Sequence, residues 1–165
     1  MQDDKPVRTQ AIMRLVLLSQ SLHRGPLAPL GRLVDGAVRV GFSAVIPGRA
    51  QIAADVFFHH SGIGVVINGA SVIETGCEIG VGVVLGGRAP LTGAPYLEQN
   101  VIVHAGAKLI GPIRVGRGSV IAANAVVLTD VPPGSLVAGV PGAIKRTGLE
   151  TESYRTTSGN RELSE

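Results

Sequence analysis

Large aliphatic residues recur every six positions through most of this chain, and that step constrains the fold more than any other feature. Ile46, Ile52 and Phe58 keep it, then Ile67, Ile73, Ile79 and Leu85, then Leu97, Val103, Leu109, Val115, Ile121 and Val127. Two positions earlier runs a second, mostly smaller set: Val65, Ser71, Cys77 and Val83, then Pro95, Val101, Ala107, Ile113, Ser119 and Ala125. An α-helix cannot hold a six-residue stripe, because its 3.6-residue turn makes the stripe drift around the cylinder. A hairpin does not need the step to persist. A parallel β-helix does: each short strand sends one large aliphatic inward, the chain turns, and stacked coils set like above like. Glycine follows the large aliphatic at Gly80, Gly86 and Gly116.

The composition fits a narrow prism. The chain has 23 glycines, three phenylalanines, two tyrosines and no tryptophan. A thin stack of aliphatic ladders has no room for large rings, and each coil buries what its neighbour cannot. Cys77, the single cysteine, falls in the inward set and reads as a buried small hydrophobe; it allows neither an intrachain disulfide nor a cysteine-based zinc site. The net charge of +3 comes without any cluster of Lys and Arg interleaved with aromatics, so nucleic acid is not an expected partner. The apolar run AIMRLVLLSQSL contains Arg14 and is too short to span a bilayer. No small-residue cleavage site follows it. A soluble, cytoplasmic protein without a membrane partner is expected.

The ladder breaks twice. Nine residues, not six, separate Phe58 from Ile67, and the break holds the adjacent His59 and His60. Between Leu85 and Leu97 the text reads GGRAPLTGAPY. Leu91 keeps the step there arithmetically, yet prolines and glycines surround it. This reads as a loop that leaves the prism and returns, with Leu91 in phase by accident; such excursions from a rigid scaffold often carry function.

Three segments follow. Residues 1–40 form an N-terminal helical cap, with Ile12, Leu15, Val16 and Leu22 on one side, a break at Gly25-Pro26, and a resumed pattern at Leu30, Leu33, Val34, Ala37 and Val38. A partner-binding amphipathic arm is the alternative for this stretch. Residues 41–146 form the β-helix. Residues 147–165 are polar and aperiodic and read as a flexible tail.

The segments HHSGIGVVING, LGGR and VVLTDVPPGSLVAGVPGAIKR, with the ladder, make residues 43–146 resemble the serine O-acetyltransferase-like branch of the hexapeptide-repeat acyltransferases. The resemblance implies an all-β, single-stranded left-handed parallel β-helix with a small α cap. It also implies a homotrimer, with acetyl-CoA and the acceptor bound between subunits, and a place in cysteine biosynthesis. His60 corresponds to the catalytic histidine of that branch. An alcohol needs a general base to attack a thioester, and neutral imidazole is suited to the task. The resulting oxyanion needs a donor, which a backbone N–H can supply. Gly87, Ala105 and Ala123 correspond to acetyl-CoA contacts, the small side chains leaving space for the pantetheine arm. Lys145, with Arg146, is expected to meet CoA phosphates, with a solvated tail as the alternative. His59 and Arg88 are expected to meet the acceptor, Arg88 through a carboxylate or instead a CoA phosphate.

The chain departs from that branch at three acceptor positions. Serine-acetylating members carry aspartates where this chain has Val45 and His59, and a histidine where it has Ala94. The acceptor is therefore left as L-serine, another hydroxy amino acid or a sugar precursor. Asp55 reads as a turn aspartate and His104 as a surface or interface histidine. Two other functions compete with this reading. A zinc hydratase of the γ-carbonic anhydrase kind needs three histidines around one metal; this chain has four, with His23 in the cap and no suitably spaced pair, so no metal is expected. A non-catalytic scaffold relative is the remaining alternative, motivated by the three altered positions.

Overall fold

The computed structural model describes residues 10–150 and Tyr154. Its centre is a parallel β-helix of three faces. The first face stacks Gln51–Ile52, Val72–Ile73, Tyr96–Leu97 and Arg114–Val115. The second stacks Phe57–Phe58, Glu78–Ile79, Ile102–Val103, Val120–Ile121 and Leu136–Ala138, closed by Ala143–Arg146. The third stacks Val66–Ile67, Val84–Gly86, Lys108–Ile110 and Val126–Val127.

Both predicted ladders point inward. Every large member from Ile46 to Val127 is buried, as is the second set from Val65 to Ala125. Cys77 is fully buried. Leu91, in contrast, is 53% exposed on the excursion, as its surroundings indicated. The coil length shows in the pairing. Ile102 lies beside Val120, a step of eighteen. Phe57 to Glu78 is twenty-one and Glu78 to Ile102 is twenty-four. The excess of three is the histidine break; the excess of six is the excursion around Leu91.

Gly80 shows how tightly the coils stack. A Cβ there would lie 2.5 Å from Ala105 N and 2.8 Å from His104 C. Both are backbone atoms of the next coil, so no side chain fits.

Two helices, α1 (Ala11–His23) and α2 (Ala28–Phe42), cover the N-terminal end. The cap thus runs slightly past residue 40, and α1 buries Ile12, Met13 and Val16 against the prism. Of the apolar positions expected on α2, Val38 is buried but the leucines are not. Gly31 and Val38 are buried, while Leu30 and Leu33 are 48% and 70% exposed. The reason is steric. A Cβ at Gly31 would come within 2.3 Å of the His23 ring, so α2 approaches α1 on its glycine side and turns the leucines outward. Asp35 then links cap and coil: its carboxylate accepts from Ser19 Oγ at 2.5 Å and from the Gly48 N–H at 3.0 Å.

At the far end, Ala143–Arg146 runs antiparallel to Leu136–Ala138 and is exposed throughout. It is a closing flap, not a further coil. Of the proposed tail, residues 151–153 and 155–165 lie outside the described residues. Among the described residues no helix is long and apolar enough to cross a membrane.

Candidate active site at the His59–His60 corner

The three extra residues of the first ladder break form a 3₁₀ turn over His59–Gly62, at the corner between the second and third faces. His60 (φ 49°, ψ 41°) and Ser61 (φ 58°, ψ 25°) both lie in the left-handed region, which side chains other than glycine rarely occupy. The turn is held from both sides. Before it, the Gln10 side chain bonds both backbone atoms of Phe58. At its end, buried Gly62 (φ 71°) packs so closely that a Cβ would sit 3.0 Å from Ile12 Cδ1.

The two imidazoles have different surroundings. His59 is half-buried; its Nε2 lies 3.0 Å from Glu78 Oε2. A carboxylate oxygen can only accept, so Nε2 carries a hydrogen and donates it to Glu78. The ring also meets Phe57 edge to face, with centroids 5.0 Å apart. His60 is exposed. Glu78 itself is only 8% exposed, standing between Phe57 and Ile102 in the outward row of the second face.

His104 completes the group. The register places it two coils below His59 in one corner row, with side-chain-free Gly80 between them. Burial holds its pKa below the usual histidine value; the His59 ring adds to this and the Glu78 carboxylate opposes it. His104 is half-buried on this corner and within electrostatic reach of His59 and Glu78.

Ala105 and Ala123 fall on this same corner, one coil apart, with Asn124 N–H donating to Ala105 O at 2.9 Å. Both are exposed. Lys145 lies on the second face as well, in the closing flap, five strand steps from the histidines, or about 24 Å at roughly 4.8 Å per step. Gly87 and Arg88 are not brought to this corner. They follow Val84–Gly86, at the other edge of the third face. There Arg88 lines a cleft of about 290 Å³ with Leu91, Leu128 and Asp130.

Asp55 does not approach His60. Its Oδ2 accepts from Thr75 Oγ1 at 2.5 Å and from Gly76 N–H at 3.0 Å, locking two coils together as a turn aspartate. Val45 bridges to Val66 on the neighbouring coil. Among the described residues no three His, Cys, Asp or Glu side chains are placed to hold a metal ion.

Sequence reasoning missed Glu78. It sits one position after Cys77, on the outward side of a strand, where a charged residue is unremarkable. Only subtraction of the three-residue break reveals Phe57 and His59 as its neighbours.

Comparison with known proteins agrees with this architecture. Residues 94–129 match the family model described as bacterial transferase hexapeptide (six repeats). The chain is 45% identical over 137 residues to a serine acetyltransferase of Mycobacterium tuberculosis, covering 83% of this chain and 50% of that relative. It is 39% identical over 134 residues to a serine acetyltransferase of Synechococcus elongatus, covering 79% and 54%. A solved serine acetyltransferase of Brucella abortus in complex with coenzyme A superposes with a TM-score of 0.76 at 28% identity, over 89% of this chain and 64% of that one. The chain spans about half the length of the curated relatives it matches.

Proposed function

We propose that this chain, which matches the hexapeptide-repeat model over residues 94–129 and is similar to serine acetyltransferases over about half their length, transfers an acetyl group from acetyl-CoA to the hydroxyl of a small acceptor. The observation that carries the reading is the histidine turn at the one corner where Ala105 and Ala123 line up without bulky side chains. L-serine is the first acceptor to consider, because the relatives are serine acetyltransferases. Val45, His59 and Ala94 keep other hydroxy amino acids and sugar precursors in the panel.

His60 serves as the general base. Its imidazole takes the hydroxyl proton as the oxygen attacks the thioester carbonyl. An oxyanion forms, for which backbone N–H groups at the corner are the available donors. The C–S bond then breaks, the acetyl ester leaves on the acceptor, and the thiolate recovers the proton from the imidazolium. Ala105 and Ala123 leave a channel for the slim thiol arm, which runs toward Lys145 and a phosphate. Gly87 and Arg88, at the other edge of the third face, meet this ligand or the acceptor across a boundary with a second copy. A homotrimer with sites between subunits provides that boundary. With L-serine as acceptor the product enters cysteine biosynthesis, in the cytoplasm.

The deciding experiment mixes the protein with acetyl-CoA and a panel of hydroxyl acceptors and follows free thiol. Release with at least one acceptor, abolished in His60→Ala while CoA binding persists, is expected. No release with any acceptor overturns the assignment.

A further inference from the structure

Glu78 belongs to no part of the chemistry assigned so far, yet it is a nearly buried carboxylate one residue removed from the base. Its neighbours along the outward row are Phe57 and Ile102. Neither can hydrogen-bond through its side chain. A carboxylate enclosed by apolar neighbours requires a polar partner, and His59 Nε2 at 3.0 Å supplies one. The bond fixes more than the charge. It sets the tautomer of His59, its ring plane against Phe57, and the point at which the chain enters the left-handed turn at His60 and Ser61. Left-handed conformers at two successive residues other than glycine persist only where the surroundings over-determine them. Gln10 holds Phe58 by its backbone and Gly62 is held by packing. Glu78 provides the side-chain hold on the residue that enters the turn. His104 lies on the same corner and senses both His59 and Glu78.

We propose that Glu78 is a positioning residue for acetyl transfer: by holding His59 it orients the turn that presents His60. This rests on the acetyl-transfer reading above. Glu78 touches neither reactant, so its effect must pass through His59 and appear in turnover, not in acetyl-CoA affinity. Gln at this position still offers an amide oxygen to Nε2–H, whereas Ala offers nothing.

The test uses the full chain in the thiol-release assay with whichever acceptor the panel identifies. Misplacement of a catalytic group by about 1 Å can lower turnover by about 100-fold. Glu78→Ala is expected to reduce kcat by about 10- to 100-fold with the KM for acetyl-CoA within about twofold of wild type. Glu78→Gln restores most of the loss. Glu78→Ala combined with His59→Ala is no slower than His59→Ala alone, because the two act in series. Nitrogen-15 spectra of the imidazoles give a readout independent of activity: His59 carries its proton on Nε2 in wild type and loses that fixed tautomer in Glu78→Ala. A kcat for Glu78→Ala within about twofold of wild type, losses that multiply in the double variant, or an Nδ1–H tautomer at His59 overturns the proposal. If the wild-type chain releases no thiol, the acetyl-transfer reading fails. The imidazole spectra then still decide whether Glu78 holds His59, and an unheld ring overturns the inference separately.

Discussion

The Gln10 side chain grips Phe58 at both backbone atoms: Oε1 accepts from Phe58 N–H at 2.9 Å, and Nε2 donates to Phe58 O at 2.8 Å. One residue thus joins the start of the helical cap to the strand that leads into the histidine turn. Gln10→Ala removes two partly buried hydrogen bonds, each contributing about 0.5–1.5 kcal/mol. A loss of about 1–3 kcal/mol in unfolding free energy is expected by urea titration. If the cap positions the turn, kcat falls while acetyl-CoA affinity holds.

The left-handed backbone at His60 and Ser61 stores strain that glycine relieves. The conformation costs other residues about 1–2 kcal/mol, against about 0.5–1 kcal/mol for the extra freedom glycine loses on folding. His60→Gly and Ser61→Gly are each expected to stabilise the fold by up to about 1 kcal/mol. Only Ser61→Gly keeps turnover. Paired urea titrations and thiol-release assays check this; a destabilised Ser61→Gly would show that the turn is not strained.

Gly80→Ala presses a methyl group onto the backbone of His104 and Ala105, atoms locked into the next coil that cannot swing aside. Overpacking of this kind costs about 1–3 kcal/mol. The control is Gly69→Ala, where the nearest atoms lie 3.6 Å away on Arg49 and Pro47 and little change is expected. Equal urea midpoints for the two variants would contradict the tight stacking described.

His104 confers an acid sensitivity with a defined sign. Its folded-state pKa is below the ordinary 6.5, chiefly from burial and then from His59. In the unfolded chain the imidazole takes a proton first as the pH drops. The stability tied to the neutral ring is therefore complete above 6.5 and is lost as the pH falls from 6.5 through the lowered folded value. Replacing His104 with Asn removes this contribution. Thermal melts of wild type and His104→Asn between neutral and mildly acidic pH are expected to converge as the pH falls, with the variant less pH-dependent.

Parts of the candidate corner were legible residue by residue. His59 and His60 stood out because they interrupt a ladder, whereas Ala105 and Ala123 were singled out only through the family resemblance. Arg88 was legible as a loop residue, but its separation from the histidines by the whole third face was not. The outward leucines of α2 could not be foreseen either. The periodicity of a helix tells which residues share a side, and the Gly31–His23 approach chose which side turned inward.

The six-residue step by itself determined the prism, its inward ladders, its scarcity of aromatics and the two points where the chain leaves it. Those are local, repeating consequences of strand length and side-chain size. The tertiary structure alone decided that Glu78, His59 and His104 share one corner. Neighbours across coils are set by the eighteen-residue turn plus whatever each loop adds, and how far a side chain reaches across coils is decided only by their packing. Phe57 meets Glu78 at twenty-one residues and Glu78 meets Ile102 at twenty-four, so the contact that positions the turn emerges only when the coils are stacked.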